Sequence, residues 1–123
     1  MNLTMVGRLA ECVLLAYRTP AASVRALLPR GLELLTRGGW AFWNVMACRI
    51  DGMRPAGLPS LFGVSYHHVA YRLYAQARLA SGETQRGLFF VHSDVDHRML
   101  AAVGNRVADF RMQAATIDLR CTP

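Results

Sequence analysis

The sequence predicts an α+β fold, mainly antiparallel β, with two short helices. Three observations carry that prediction. The elements read in the order β-α-β-β-β-β-α-β, joined by turns rather than by βαβ crossovers, which argues against a parallel sheet. The stretch from Val64 to Ala77 is long and alternates well enough to be one extended strand. Finally, 53% of the 123 residues are apolar, enough to fill the core of one domain.

The elements follow in order. Glu11 to Arg18 (ECVLLAYR) is a short apolar run that reads as a buried strand. Thr19-Pro20 supplies an N-cap and a proline at the first helical position. Val24, Leu27 and Leu28 follow at helical spacing until Pro29 and Gly31 end a helix of about two turns. Leu32 to Leu35 begins a second strand, Arg37-Gly38-Gly39 turns, and Trp40 to Ile50 returns as the other arm of a hairpin. Asp51 to Leu61 holds two glycines and two prolines and reads as an irregular loop. On the long strand, Val64, Tyr66, His68, Ala70, Arg72 and Tyr74 share one face, and Ser65, His67, Val69, Tyr71 and Leu73 the other. Ser81-Gly82 turns the chain, and Arg86 to His92 pairs back. Ser93 with Asp96 approximates a capping box, with Asp94 adding favourable charge. The helix it opens has Leu100, Val103 and Val107 as its apolar stripe, flanked by Met99. Phe110 to Cys121 is the last strand.

Charge and cysteine usage narrow the function classes. All fourteen basic residues are arginine, the net charge is +6, and there is no lysine. A GC-rich coding sequence accounts for that bias, and its chemical consequence is definite: no lysine amine is present to form a Schiff base with a carbonyl substrate or pyridoxal phosphate. The arginines are spread evenly from Arg8 to Arg120 without a cluster or a DNA- or RNA-binding motif, so nucleic acid is not an expected partner. No apolar run is long enough to span a bilayer and the N-terminus lacks a signal-peptide core, so a cytoplasmic protein with no membrane partner is expected. Cys12, Cys48 and Cys121 are odd in number and far apart, neither a disulfide framework nor a metal pair, and each is expected to be buried in a strand.

Candidate sites are few. The box His92-Ser93-Asp94-Val95-Asp96-His97 looks metal-binding, but His92 ends a strand while His97 lies in the next helix, and helix capping explains the acidic residues. His67 and His68 are adjacent on a strand and point to opposite faces, so they cannot chelate together. Arg72 sits mid-strand on the His68 face. If that face is interior, its guanidinium needs a carboxylate partner or an anionic ligand. A solvent-facing arginine, or an internal ion pair with Asp or Glu, is the alternative. No Ser-His-Asp order, P-loop or dinucleotide fingerprint is present.

Several stretches carry a family likeness: Ala16-Tyr17-Arg18, the run Leu27-Leu28-Pro29-Arg30-Gly31-Leu32-Glu33-Leu34, and the proline loop from Arg49 through Asp51-Gly52-Met53-Arg54-Pro55 to Gly57-Leu58-Pro59. It continues at Tyr71-Arg72-Leu73-Tyr74, Gly87-Leu88-Phe89-Phe90 and Asp94-Val95-Asp96-His97-Arg98. Together, from about Glu11 onward, they resemble the YqjF-like domain-of-unknown-function proteins, bacterial members of the acetoacetate-decarboxylase-like superfamily. The resemblance implies a conical β-barrel around a small-molecule cavity. The decarboxylases of that fold use a lysine, which this chain lacks, so that route is not carried over. Family members are usually longer, so the chain resembles their N-terminal part. The barrel is then incomplete, as in a truncated product without independent activity, or is closed by a second copy in a homo-oligomer.

The expected function is binding of a small organic anion, a keto acid or polyketide-like carboxylate, with no cofactor and no metal. Arg72 clamps the carboxylate, and Tyr74 and His68 orient it. Arg49 and Arg54 line the mouth, unless they brace the loop. If chemistry occurs, His68 or Tyr66 is the available acid-base group. A non-catalytic binding or structural module is the alternative.

Overall fold

The computed structural model describes residues 4–107 and 112–120. Strand β1 (Met5–Pro20) leads into helix α1 (Ala21–Val24), which tightens into a 3-10 turn at Arg25–Leu27. Strands β2 (Leu32–Leu34), β3 (Thr36–Arg37) and β4 (Trp40–Pro55) follow, then a 3-10 turn at Ser60–Phe62. Strands β5 (Val64–Arg78) and β6 (Thr84–Val95), helix α2 (Arg98–Val107) and strand β7 (Met112–Ala114) complete the chain.

Among the described residues the strands form one sheet in the order β1-β4-β5-β6-β7, with β2 paired to β5 and β3 to β4, and it does not close on itself. All neighbours are antiparallel except β6 and β7, which are parallel across the α2 connection. β3 turns into β4 through Gly38 and Gly39, both at positive φ (59° and 81°), the two-residue turn whose twist suits a hairpin. The small α+β fold built on antiparallel pairing is therefore present.

Several expectations are corrected. β2 does not pair with β4; it joins the far end of β5, Leu32 opposite Ala77, and β3 supplies the hairpin arm. Thr19 does not cap α1, because the helix begins after Pro20 with no side-chain cap and Thr19 Oγ1 meets Ser23 Oγ instead, at 3.2 Å. The supposed loop from Asp51 stays in the sheet to Pro55, since a bulge opposite Ser65 absorbs Gly52 at φ +67°. Ser93 and Asp94 do not open α2 but end β6. Among the described residues the final strand is Met112–Ala114, and Phe110 and Cys121 lie outside them.

Burial of Glu11 to Arg18 is also corrected. β1 is an outer strand, and Leu14 and Leu15, on opposite faces, are 61% and 55% exposed. Apolar residues on both faces usually mark a strand covered on both faces; β1, at the edge of the sheet among the described residues, leaves them exposed instead.

Register divides the sheet into two faces. On one, Tyr17, Trp43, Leu73 and Phe89 form a row. There α1 packs Ala21 and Val24 against Ala41 and Leu73, with Leu28, Leu34 and Val91 around them. On the other face the rows are Cys12–Cys48–His68–Val95, Leu14–Met46–Ala70–Ser93 and Ala16–Asn44–Arg72–Phe90. At one end of this second face α2 brings Ala101 and Leu100 onto Tyr66, Val95 and Ile50. Among the described residues no helix is long and apolar enough to cross a membrane.

Candidate functional site

Strand alternation on β5 places Tyr66, His68, Ala70, Arg72 and Tyr74 on the second face, and the register adds Asn44 and Cys48 from β4 and Phe90 and Ser93 from β6. Val91 is the extra residue of a β6 bulge opposite Arg72, which sends Val91 to the α1 core and leaves Phe90 beside Arg72. The Arg72 guanidinium carbon lies 5.5 Å from the Phe90 ring centroid, within cation–π range.

The polar partners are limited. Arg72 Nη2 donates to Asn44 Oδ1, and Asn44 Nδ2 donates to the Tyr74 hydroxyl at 3.2 Å. Arg72 is half-buried, and among the described residues no carboxylate forms an ion pair with it. Among the described residues, three shielded atoms on this face have no hydrogen-bond partner: Arg72 Nε, His68 Nε2 and Ser93 Oγ. Ser93 as a residue is only 1% exposed. Leaving a buried polar group unpaired costs about 1–3 kcal/mol, so three such atoms on one face call for a physical account.

Tyr74 connects this cluster to a cleft of about 430 Å³ lined by Ala16, Leu35, Thr36, Phe42, Trp43, Tyr74 and Arg86. That size falls in the range of small-molecule sites, roughly 300–1,000 Å³. A smaller cleft of about 190 Å³, beside β2 and the start of β6, includes none of the unpaired atoms.

Burial, reinforced by the Arg72 cation, holds the His68 imidazole below its ordinary pKa, with Asp94 pulling weakly the other way. His68 is therefore a neutral imidazole next to a fixed positive charge. The unfolded chain takes up this proton near the usual value of 6.5 and the folded chain only at lower pH. Over that interval the unfolded state binds more protons, so the His68 contribution is complete above the unfolded pKa and is lost as pH falls through it toward the folded one. Melting temperatures between pH 7.5 and 5 should fall more steeply in wild type than in His68→Gln; parallel profiles would show that His68 titrates alike in both states and is not shielded.

The other expected site residues fall elsewhere. Arg49 lies on the α1 face and meets Asp51 at 3.4 Å and Glu11 at 3.7 Å, so it cannot line this site. Arg54 braces its loop, donating from Nε to Leu58 O at 3.0 Å and from Nη1 to Gly52 O at 2.9 Å. Arg54 thus makes the loop bracing that the sequence offered as the alternative to the mouth, and Arg49 lies on the face opposite Arg72. Tyr66 shares the His68 face but packs under α2, and burial, then Cys48, pushes its hydroxyl pKa up. His67 points to the α1 face, where Nδ1 pairs with Asp96 Oδ2 at 2.7 Å. Asp96 also accepts the His67 N–H, so it ties β5 to the end of β6 rather than capping a helix; Leu100 N–H instead donates to His97 Nδ1 at 3.1 Å. His92 pairs with Asp94 at 2.6 Å, and among the described residues no group of three or more His, Cys, Asp or Glu could hold a metal. Asn44, Ser93, Cys48 and Arg86 were not singled out by sequence as site residues, since only strand pairing brings them to this face.

The fold and the site together define an unclosed, mainly antiparallel sheet with a buried polar cluster on one face. Residues 7–122 match the model of DUF2071, described as an uncharacterized conserved protein, and the chain belongs to that family. No curated protein and no solved structure matches the chain.

Proposed function

We propose that the chain binds a small organic anion, a keto acid or polyketide-like carboxylate, on the face that carries Arg72. The single observation behind this is that Arg72 Nε, His68 Nε2 and Ser93 Oγ, on one face of the sheet, have no hydrogen-bond partner among the described residues, and no carboxylate among them pairs with Arg72. A carboxylate accepts from Arg72 Nε and from the Ser93 hydroxyl. The His68 ring nitrogen completes the shell or moves a proton. The route in is the cleft, past Tyr74 and Asn44, with Arg86 as a second positive charge at its wall. Asn44 holds the far end of the guanidinium, so Nε is the group left to bind.

In this reading the sheet is the wall of an acetoacetate-decarboxylase-like barrel of the YqjF type. With no lysine in the chain, any chemistry runs through His68 rather than an imine. Binding without turnover is the simpler form.

The test is a thermal melt of the purified chain against a panel of small carboxylates, beside Arg72→Met. A ligand at about 100 times its dissociation constant adds about 2.7 kcal/mol, which moves the midpoint by several degrees. Arg72→Met should melt cooperatively and lose that shift. Carboxylates that leave the wild-type midpoint unmoved, or that move wild type and variant equally, would overturn the proposal.

A further inference from the structure

Cys12 and Cys48 are register partners on adjacent antiparallel strands. Cys12 is exposed and Cys48 is 1% exposed, and both are free thiols. What decides their chemistry is the type of pair they occupy. Antiparallel pairs alternate between hydrogen-bonded positions and closer, non-hydrogen-bonded ones, with Cα atoms about 5.5 and 4.5 Å apart respectively. Just past the strand end, Ala21 N–H donates to Gly39 O at 3.0 Å, which marks a hydrogen-bonded position. The next pair inward, Pro20 opposite Trp40, is non-hydrogen-bonded, as proline's missing N–H requires. The register then runs without a shift from Pro20–Trp40 to Glu11–Arg49. Counting in twos from Pro20 makes Cys12–Cys48 a non-hydrogen-bonded pair. Its Cα separation of about 4.5 Å lies within the roughly 4.4–6.8 Å that a disulfide spans, and both side chains leave the same face.

We infer that Cys12 and Cys48 form a reversible dithiol–disulfide couple, oxidised by a peroxide or by an external disulfide. Exposure makes Cys12 the first to react. With peroxide, its thiolate sulfur attacks one oxygen, the O–O bond breaks, and Cys12 becomes a sulfenic acid as the other oxygen leaves as water after protonation. Cys48 sulfur then attacks Cys12 sulfur, the S–S bond forms, the S–O bond breaks, and a second water leaves. The two thiols give up two electrons and the peroxide takes them. Burial and the neighbouring Cys12 push the Cys48 thiol pKa up, with Arg72 opposing, which suits Cys48 to resolving rather than to first attack.

Oxidation fixes the outer strand β1 to the sheet and draws Cys48, the neighbour of His68 in its row, into a cross-strand bond. A disulfide compressed between non-hydrogen-bonded partners belongs to the strained, easily reduced kind that suits a regulatory role. The couple does not depend on the anion-binding proposal, because its assay reads sulfur alone.

The experiment uses the chain in a Cys121→Ser background, under native conditions, with hydrogen peroxide and afterwards dithiothreitol. The expected result is a monomer that loses two hydrogens by intact mass, has both thiols protected from alkylation, links the Cys12 and Cys48 peptides in a digest, and regains both thiols on reduction. Cys48→Ser should stop at a Cys12 sulfenic acid that dimedone traps, and Cys12→Ser should keep its buried thiol. Persistence of both thiols at peroxide levels that oxidise free glutathione would overturn the inference. So would disulfides that form only between chains.

Discussion

Leu73→Ala is expected to destabilise the protein by about 2–5 kcal/mol, the largest single effect among core substitutions here. Leu73 is 0% exposed and heads the largest fully buried side chains. It sits where α1 meets the sheet, against Ala21, Val24 and Ala41. Those neighbours are small, so truncation leaves a cavity that they cannot fill by turning a rotamer. A typical domain has about 5–15 kcal/mol in total, so the variant would melt many degrees lower or fail to fold at 37 °C. Leu73→Met conserves volume and should cost less than about 1.5 kcal/mol, which keeps the experiment readable if the alanine variant is lost. Leu88, partly exposed on the opposite face, serves as the control. Urea midpoints measured on the three variants check the order. A Leu73→Ala loss below about 1 kcal/mol would mean that α1 does not pack on the sheet as described.

The parts of the fold that were legible in the sequence rest on local periodicity. β5 alternates for its whole length, so the shared face of Tyr66, His68, Arg72 and Tyr74 follows from the chain alone. The Gly38-Gly39 turn and the return of β6 are equally local. Pairing partners are not. Nothing within ECVLLAYR tells whether the strand has one neighbour or two, and burial was wrongly expected for it. Leu32–Leu34 looks like a hairpin arm because β3 follows directly, yet its hydrogen bonds go to a strand some forty residues on.

The site was legible to the same extent. Arg72, His68 and Tyr74 come from one strand and one periodicity. Asn44 and Ser93 come from neighbouring strands, and the Val91 bulge shifts β6 by one residue just where a count from Arg86 would place them. Ser93 to Asp96 carries the residue spacing of a helix cap, but Asp96 finds a stronger partner in the His67 backbone and ring. That competition is tertiary, and a local motif does not reveal it.

Gly63→Ala is the second substitution with a large expected effect, and it isolates a close backbone approach. Gly63 has φ −72°, where alanine is as comfortable as glycine, so backbone conformation adds no penalty. On conformational grounds alone the change would stabilise by about 0.4–1 kcal/mol through the unfolded chain. The added Cβ, however, would lie 2.7 Å from Gly52 Cα and 2.9 Å from both its carbonyl carbon and oxygen. These are backbone atoms, and Gly52 is pinned further: its N–H donates to Ser65 Oγ at 3.2 Å and its oxygen accepts from Arg54. Relief therefore requires β4 and β5 to separate at the bulge, and overpacking of this kind costs about 1–3 kcal/mol. Gly57→Ala separates the two causes, because Gly57 has φ +94° with open space around it and should cost only the left-handed penalty of about 1–2 kcal/mol. Denaturation midpoints settle the sign for Gly63→Ala. A loss of stability supports the contact, whereas a gain would mean that the two glycines are not in contact and that the β4–β5 bulge is looser than its hydrogen bonds indicate. The loss should also carry into the site, because the Cys48–His68 row begins two residues inside that bulge and moves with it.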